Sequence, residues 1–82
     1  MTTTRNYLVV LEPDVEGGFV VQVPALPEVC TQGETETEAL ANAREAIELA
    51  IEERLAQGDE IPGGKETQIR QVAVSLPVPS AA

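Results

Sequence analysis

The sequence predicts an α+β domain, with one helix packed on a small, mainly antiparallel sheet in the order β-β-β-α-β. Three observations carry this reading. Short β-branched runs separated by Gly and Pro fill the chain up to Gly33. A long Ala-, Leu- and Glu-rich stretch follows a Thr-x-x-Glu box at Thr35–Glu38. Apolar/polar alternation then returns from Thr67 to Leu76. Strands followed by a single amphipathic helix must bury that helix on the sheet.

The first strand is expected over Tyr7–Leu11, where β-branched and aromatic residues dominate. Pro13 to Gly18 reads as a turn, because Gly17 and Gly18 tolerate positive φ. Phe19–Val23 forms the second strand, with Phe19, Val21 and Val23 on one face, so the two runs make a hairpin. Pro24 and Pro27 close it, since neither can donate to a ladder. A short third strand spans Val29–Gln32 and ends at Gly33, where a positive-φ turn is expected.

The helix begins behind Thr35, whose hydroxyl caps the N3 amide while Glu38 reaches back. It runs to Gln57, with Gly58 as its C′ residue. Leu40, Ala43, Ile47, Ala50, Ile51 and Leu55 recur at helical spacing and define the expected buried stripe. On that reading, aspartate at Leu40 or Ile47 would bury an unpaired charge and destroy the fold. Glu34, Glu36 and Glu38 lie where the helix dipole favours negative charge. A loop over Asp59–Lys65 leads to the fourth strand, in which Val72, Val74 and Leu76 share a face. The single domain is expected over residues 5–76, with loose tails at 1–4 and 77–82.

Composition narrows function. The chain has 82 residues, 43 % of them hydrophobic, which suits one globular domain. A domain this small buries only about 60–65 % of its chain surface, so self-association is a natural reinforcement. There is no histidine and one cysteine, which excludes a disulfide framework, a Cys/His zinc site and imidazole catalysis. The longest aliphatic or aromatic run, Tyr7–Leu11, is too short to span a membrane or act as a signal peptide. A soluble, cytoplasmic chain is expected. With 14 acidic and 5 basic residues the net charge is −9. Such a chain has few cations to exchange for counterions on nucleic acid, or to dock on anionic lipid. A basic partner fits better.

Two stretches carry a family resemblance: Pro24-Ala-Leu-Pro-Glu-Val-Cys-Thr-Gln-Gly-Glu-Thr35 and Glu38-Ala-Leu-Ala-Asn-Ala-Arg-Glu-Ala-Ile47. With Gly17-Gly18-Phe19 and the Gly58…Pro62 ending, the chain resembles the HicB-like antitoxin family over about Tyr7 to Pro62. The resemblance implies a partial ribonuclease-H-like β-β-β-α-β core. It also implies an antitoxin role, with a small basic mRNA-cleaving toxin of HicA type as partner. Glu28 stands where many relatives have glycine, and Glu36 where an apolar residue usually opens the helix. Many relatives continue into a helix-turn-helix or ribbon-helix-helix. About twenty residues follow Pro62 here, so operator binding by this stretch is not expected.

No catalytic set, metal site or cofactor site emerges. Two-metal ribonuclease chemistry needs converging acids, and the first strand offers only Glu12 at its end. Cys30 has no histidine to activate it and reads as a half-buried strand residue. Asn42, an indifferent helix former, is expected to tie the helix to the Pro24–Gly33 segment. The residues offered to a partner are Glu12, Asp14, Glu16 and Glu28, all near loops at the sheet's ends. Gly17, Gly18, Pro24, Pro27, Gly33, Thr35, Glu38 and Asn42 are framework. Val10 and Val20, out of phase with the helix-facing set, mark an open sheet face through which a homodimer or higher oligomer could form. A second reading is a stand-alone oligomeric scaffold of the same fold with no toxin partner.

Overall fold

The computed structural model describes residues 4–62 and 68–79. Strands β1 (Val10–Pro13), β2 (Phe19–Gln22) and β3 (Cys30–Gly33) precede helix α1 (Glu36–Ala56). The strands form one antiparallel sheet in the order β1-β2-β3. Leu11 lies opposite Val21, and Val21 opposite Thr31. The α+β class with a single helix over an antiparallel sheet is as expected.

Strand β1 is displaced toward the turn, from Tyr7–Leu11 to Val10–Pro13. The cause lies in β2, which ends at Gln22 just before Val23 and Pro24. Residues 7–9 therefore have no ladder partner, while Pro13 can pair with Phe19 at a strand end on the edge of the sheet. Tyr7 is held differently: its hydroxyl donates to the Pro62 carbonyl at 2.6 Å, joining the two ends of the folded body.

Phe19, Val21 and Val23 face the helix as their alternation requires, and Val21 and Val23 are buried. Leu26, in the loop between the two prolines, is fully buried beside Val23, Val29 and Ala50. Successive turns, Leu26 N–H to the Val23 carbonyl and Val29 N–H to the Leu26 carbonyl, fold it inward. Pro24 and Pro27 flank this plug.

Helix α1 has the expected bounds, but of the expected capping box only the Thr35 half forms: among the described residues the Glu38 carboxylate makes no return bond to the Thr35 amide. Thr35 is the N-cap, its Oγ1 accepting from the Glu38 amide at 3.1 Å. Gly58 follows the C-cap at φ 78°. The buried stripe differs from expectation. Ala39, Ala43 and Ala50 are buried, with Ala46, Ile47 and Ile51 packed beside them. Leu40 and Leu55 are exposed, so aspartate at Leu40 would not bury a charge. The helix presents alanines because it lies very close to the sheet. A Cβ added at Gly33 would stand 2.6 Å from the Ala39 Cα. Gly33 is thus required by close approach, not by positive φ, which among the described glycines belongs to Gly17, Gly18 and Gly58.

The fourth strand expected at Thr67–Leu76 is not formed in the described residues 68–76, and Thr67 lies outside them. Residues 68–79 are exposed throughout. The alternation is present, but among the described residues no strand lies beside it to complete a ladder. Of the expected loose tails, Thr4 and residues 77–79 carry no regular structure. Residues 1–3 and 80–82, and Gly63 to Lys65 of the expected loop, lie outside the described residues.

Candidate functional site

The turn between β1 and β2 is built by Asp14. Its amide donates to the Gly18 carbonyl and its own carbonyl accepts from Gly17, each at 3.0 Å. Its Oδ1 accepts from the Glu16 amide at 3.1 Å, an Asx turn that stiffens the loop. Gly17 and Gly18 have φ of 104° and 80°, values that favour glycine. At Gly18 an added Cβ would meet the Gly33 carbonyl oxygen at 2.7 Å and the Glu34 Cα at 3.3 Å. The turn therefore abuts the start of the helix.

That contact gathers acids from two distant stretches of chain. Glu12, Asp14 and Glu16 come from the hairpin; Glu34, Glu36 and Glu38 come from the helix entry, and all six are exposed. The helix N-terminus offsets part of their mutual repulsion. Val15 projects fully into solvent between Asp14 and Glu16. Sequence reading took the hairpin acids as candidates but missed Val15 and the union with Glu34–Glu38. Only the close packing of Gly18 on Gly33 brings these together.

Glu28 stands apart. It lies in the loop beyond the other end of β2, and Arg54 of the last helical turn grips it bidentately, at 2.7 and 2.8 Å. This hydrogen-bonded pairing lowers the Glu28 pKa to about 2. Among the described residues it is the one ion pair. Where an unengaged acid was expected, the structure has a clamp between loop and helix terminus, made by a partner 26 residues away. Arginine in a last turn is a legible signal; its partner is not.

Asn42 is the expected tether, donating through Nδ2 to the Gln32 carbonyl of β3 at 2.8 Å. Cys30 is exposed rather than half-buried, because it lies on the sheet face that the helix does not cover. Val10, opposite Gln22 and in line with Cys30, shares that face, and Val20 lies on it as expected. A shallow groove of about 440 Å³ runs there between Val10, Gln22, Cys30 and the Pro24–Val29 loop. Among the described residues, no three His, Cys, Asp or Glu side chains are placed to hold a metal ion. No helix among them is long and apolar enough to cross a membrane.

Comparison with known proteins assigns this architecture. Residues 6–82 match the family described as HicB_like antitoxin of bacterial toxin-antitoxin system. A UPF0150 protein of Thermoplasma acidophilum is 43 % identical over 64 residues, covering 78 % of this chain and 93 % of that protein. Antitoxin HicB 1 of Photorhabdus laumondii is 45 % identical over 57 residues, covering 70 % of this chain. Antitoxin HicB of Escherichia coli K12 is 39 % identical over the same length and share. The matched stretch spans only 37 % and 41 % of those two antitoxins. By that family match and these identities, the chain belongs to the HicB-like antitoxin family.

Proposed function

We infer that this chain is a non-catalytic, antitoxin-type domain of the cytoplasm that binds a small, basic, mRNA-cleaving toxin of HicA type. It acts by covering the toxin's cationic RNA-binding surface. The observation that carries this reading is the hairpin turn set against the helix entry, with Glu12, Asp14 and Glu16 of the one and Glu34, Glu36 and Glu38 of the other all exposed, in a member of an antitoxin family. Complementary charge steers the encounter and selects the partner, while apolar contact sets the lifetime. Glu12, Asp14 and Glu16 are the hairpin's share of that surface. Glu28 is the weaker candidate, since contact with a toxin competes with Arg54.

The −9 charge argues that this stretch does not bind duplex DNA on its own. Self-association accompanies the reading, because among the described residues β1 and β3 both leave a sheet edge unpaired. The alternative is a stand-alone oligomeric scaffold without a toxin.

The test is association kinetics with a candidate basic toxin at two ionic strengths. Glu12→Lys with Glu16→Lys reverses two charges and leaves the Asp14 side-chain bond in place. The expected result is slower association for the double variant and for wild type at higher salt. Equal rates under all conditions would overturn the electrostatic reading. No binding by wild type to any basic toxin encoded beside it would favour the scaffold.

A further inference from the structure

The segment after the folded body has the pattern of a strand and the exposure of a tail. Val72, Val74 and Leu76 alternate with Ala73 and Ser75, and all three apolar side chains are more than 70 % exposed. Ile69 and Val78 extend the apolar series in the open. A run of apolar side chains this continuous is costly in water unless something covers it.

The folded body has a matching deficiency. Among the described residues β1 pairs with β2 alone, which leaves its outer edge open there. The helix lies mainly over β3 and β2. Val9 and Leu11 therefore pack against the core but remain only half-covered, as do Ile47 and Ile51 on the helix. A strand added beside β1, with its apolar face toward the helix, would complete both a ladder and this half-built core. The β3 edge is less suited. Its residues are Cys, Thr, Gln and Gly, and the Asn42 amide already binds the Gln32 carbonyl there.

We propose that residues 69–78 are an exchanged arm that pairs with the β1 edge of a second copy of this chain, closing a reciprocal dimer. The proposal rests on the self-association proposed above and names the segment that makes it. A second copy is the occupant because the arm lies clear of its own body. Every described residue from 68 to 79 is exposed, while Val9 and Leu11 of the same chain stay partly open. The Tyr7 hydroxyl holds Pro62 at the start of the β1 side. The end of the body that precedes the arm is thus tied to the segment leading into β1, the receiving strand, and reciprocal pairing of two such copies closes with two-fold symmetry. The arm also brings Arg70 to a body that is strongly acidic.

The experiment combines light scattering with NMR on the full chain. Wild type should have twice the monomer mass at about 100 μM. A sample mixing carbon-13-labelled and unlabelled chains should show intermolecular contacts from the methyls of Val72, Val74 and Leu76 to those of Val9 and Leu11. Val74→Asp with Leu76→Asp should give a monomer with an unchanged helical circular-dichroism signal, since neither side chain is buried in the single body. A wild-type monomer would overturn both the arm and self-association. A dimer that survives the double variant would overturn the arm and leave self-association through another face. Contacts found only within one chain would show that the arm folds back on its own edge, which also overturns exchange.

Discussion

The body and the arm carry the same kind of sequence and meet opposite fates. In β2 and the residue that follows it, Val21 and Val23 alternate with polar or outward residues and are 0 % and 2 % exposed. In the arm, Val72 and Val74 alternate just as regularly and are 82 % and 71 % exposed. Alternation specifies which side chains share a face. It does not specify what covers that face. β2 has strands on both sides and a helix above it, whereas among the described residues no strand or helix covers the arm.

Breaking the body should have the largest effects. Gly33→Ala would force a Cβ against the Ala39 backbone, where neither β3 nor the helix can yield locally. We expect a loss of about 3 kcal/mol, at the upper end of typical overpacking costs, seen as a lowered urea midpoint. Leu26→Ala should cost a similar ~2–4 kcal/mol, since the side chain is fully buried and its removal leaves a cavity. In a domain this size either change removes much of the total stability.

Smaller effects sharpen the contrast. Thr35→Ala deletes the bond to the Glu38 amide and should cost about 1 kcal/mol by chemical denaturation. Leu76→Ala, at dilutions where the chain is monomeric, should change stability by less than about 0.5 kcal/mol. A larger loss would mean that the arm packs on its own body.

The smallest effect concerns acid. The Arg54 pairing lowers the Glu28 pKa from 4.5 to about 2. Its stabilising contribution is therefore complete above about pH 4.5 and is lost as pH falls toward 2. Glu28→Gln should flatten that part of the stability profile and change neutral-pH stability only slightly, because the pair lies at the surface, partly open to solvent. Thermal melts between pH 2 and pH 6 would show the difference.

The hairpin, the helix and its caps were legible because each is written in local chemistry. Gly17-Gly18 permits the turn, Thr35 caps the helix, and Gly58 ends it. Asn42 was also found, since an asparagine inside a helix invites a search for its partner. The acidic hairpin residues were legible as a candidate surface. Their union with Glu34–Glu38 was not, because it depends on how closely Gly18 approaches Gly33. Cys30 was misplaced because no local rule says which sheet face the helix will cover.

By itself the sequence determined the order of the first three strands and the helix, the inward phase of β2, the helix boundaries and the acidic balance. These depend on neighbours within a turn or two, or on composition alone. Tertiary structure decided that the helix shows its alanines to the sheet and turns Leu40 outward, because Gly33 admits a closeness that larger side chains would prevent. It also decided that Glu28 belongs to Arg54, and that, among the described residues, a run patterned as a fourth strand stands unpaired. Each of these outcomes depends on groups far apart in the chain, and the physical reason is the same: burial and pairing are properties of two surfaces, and a sequence pattern describes only one of them.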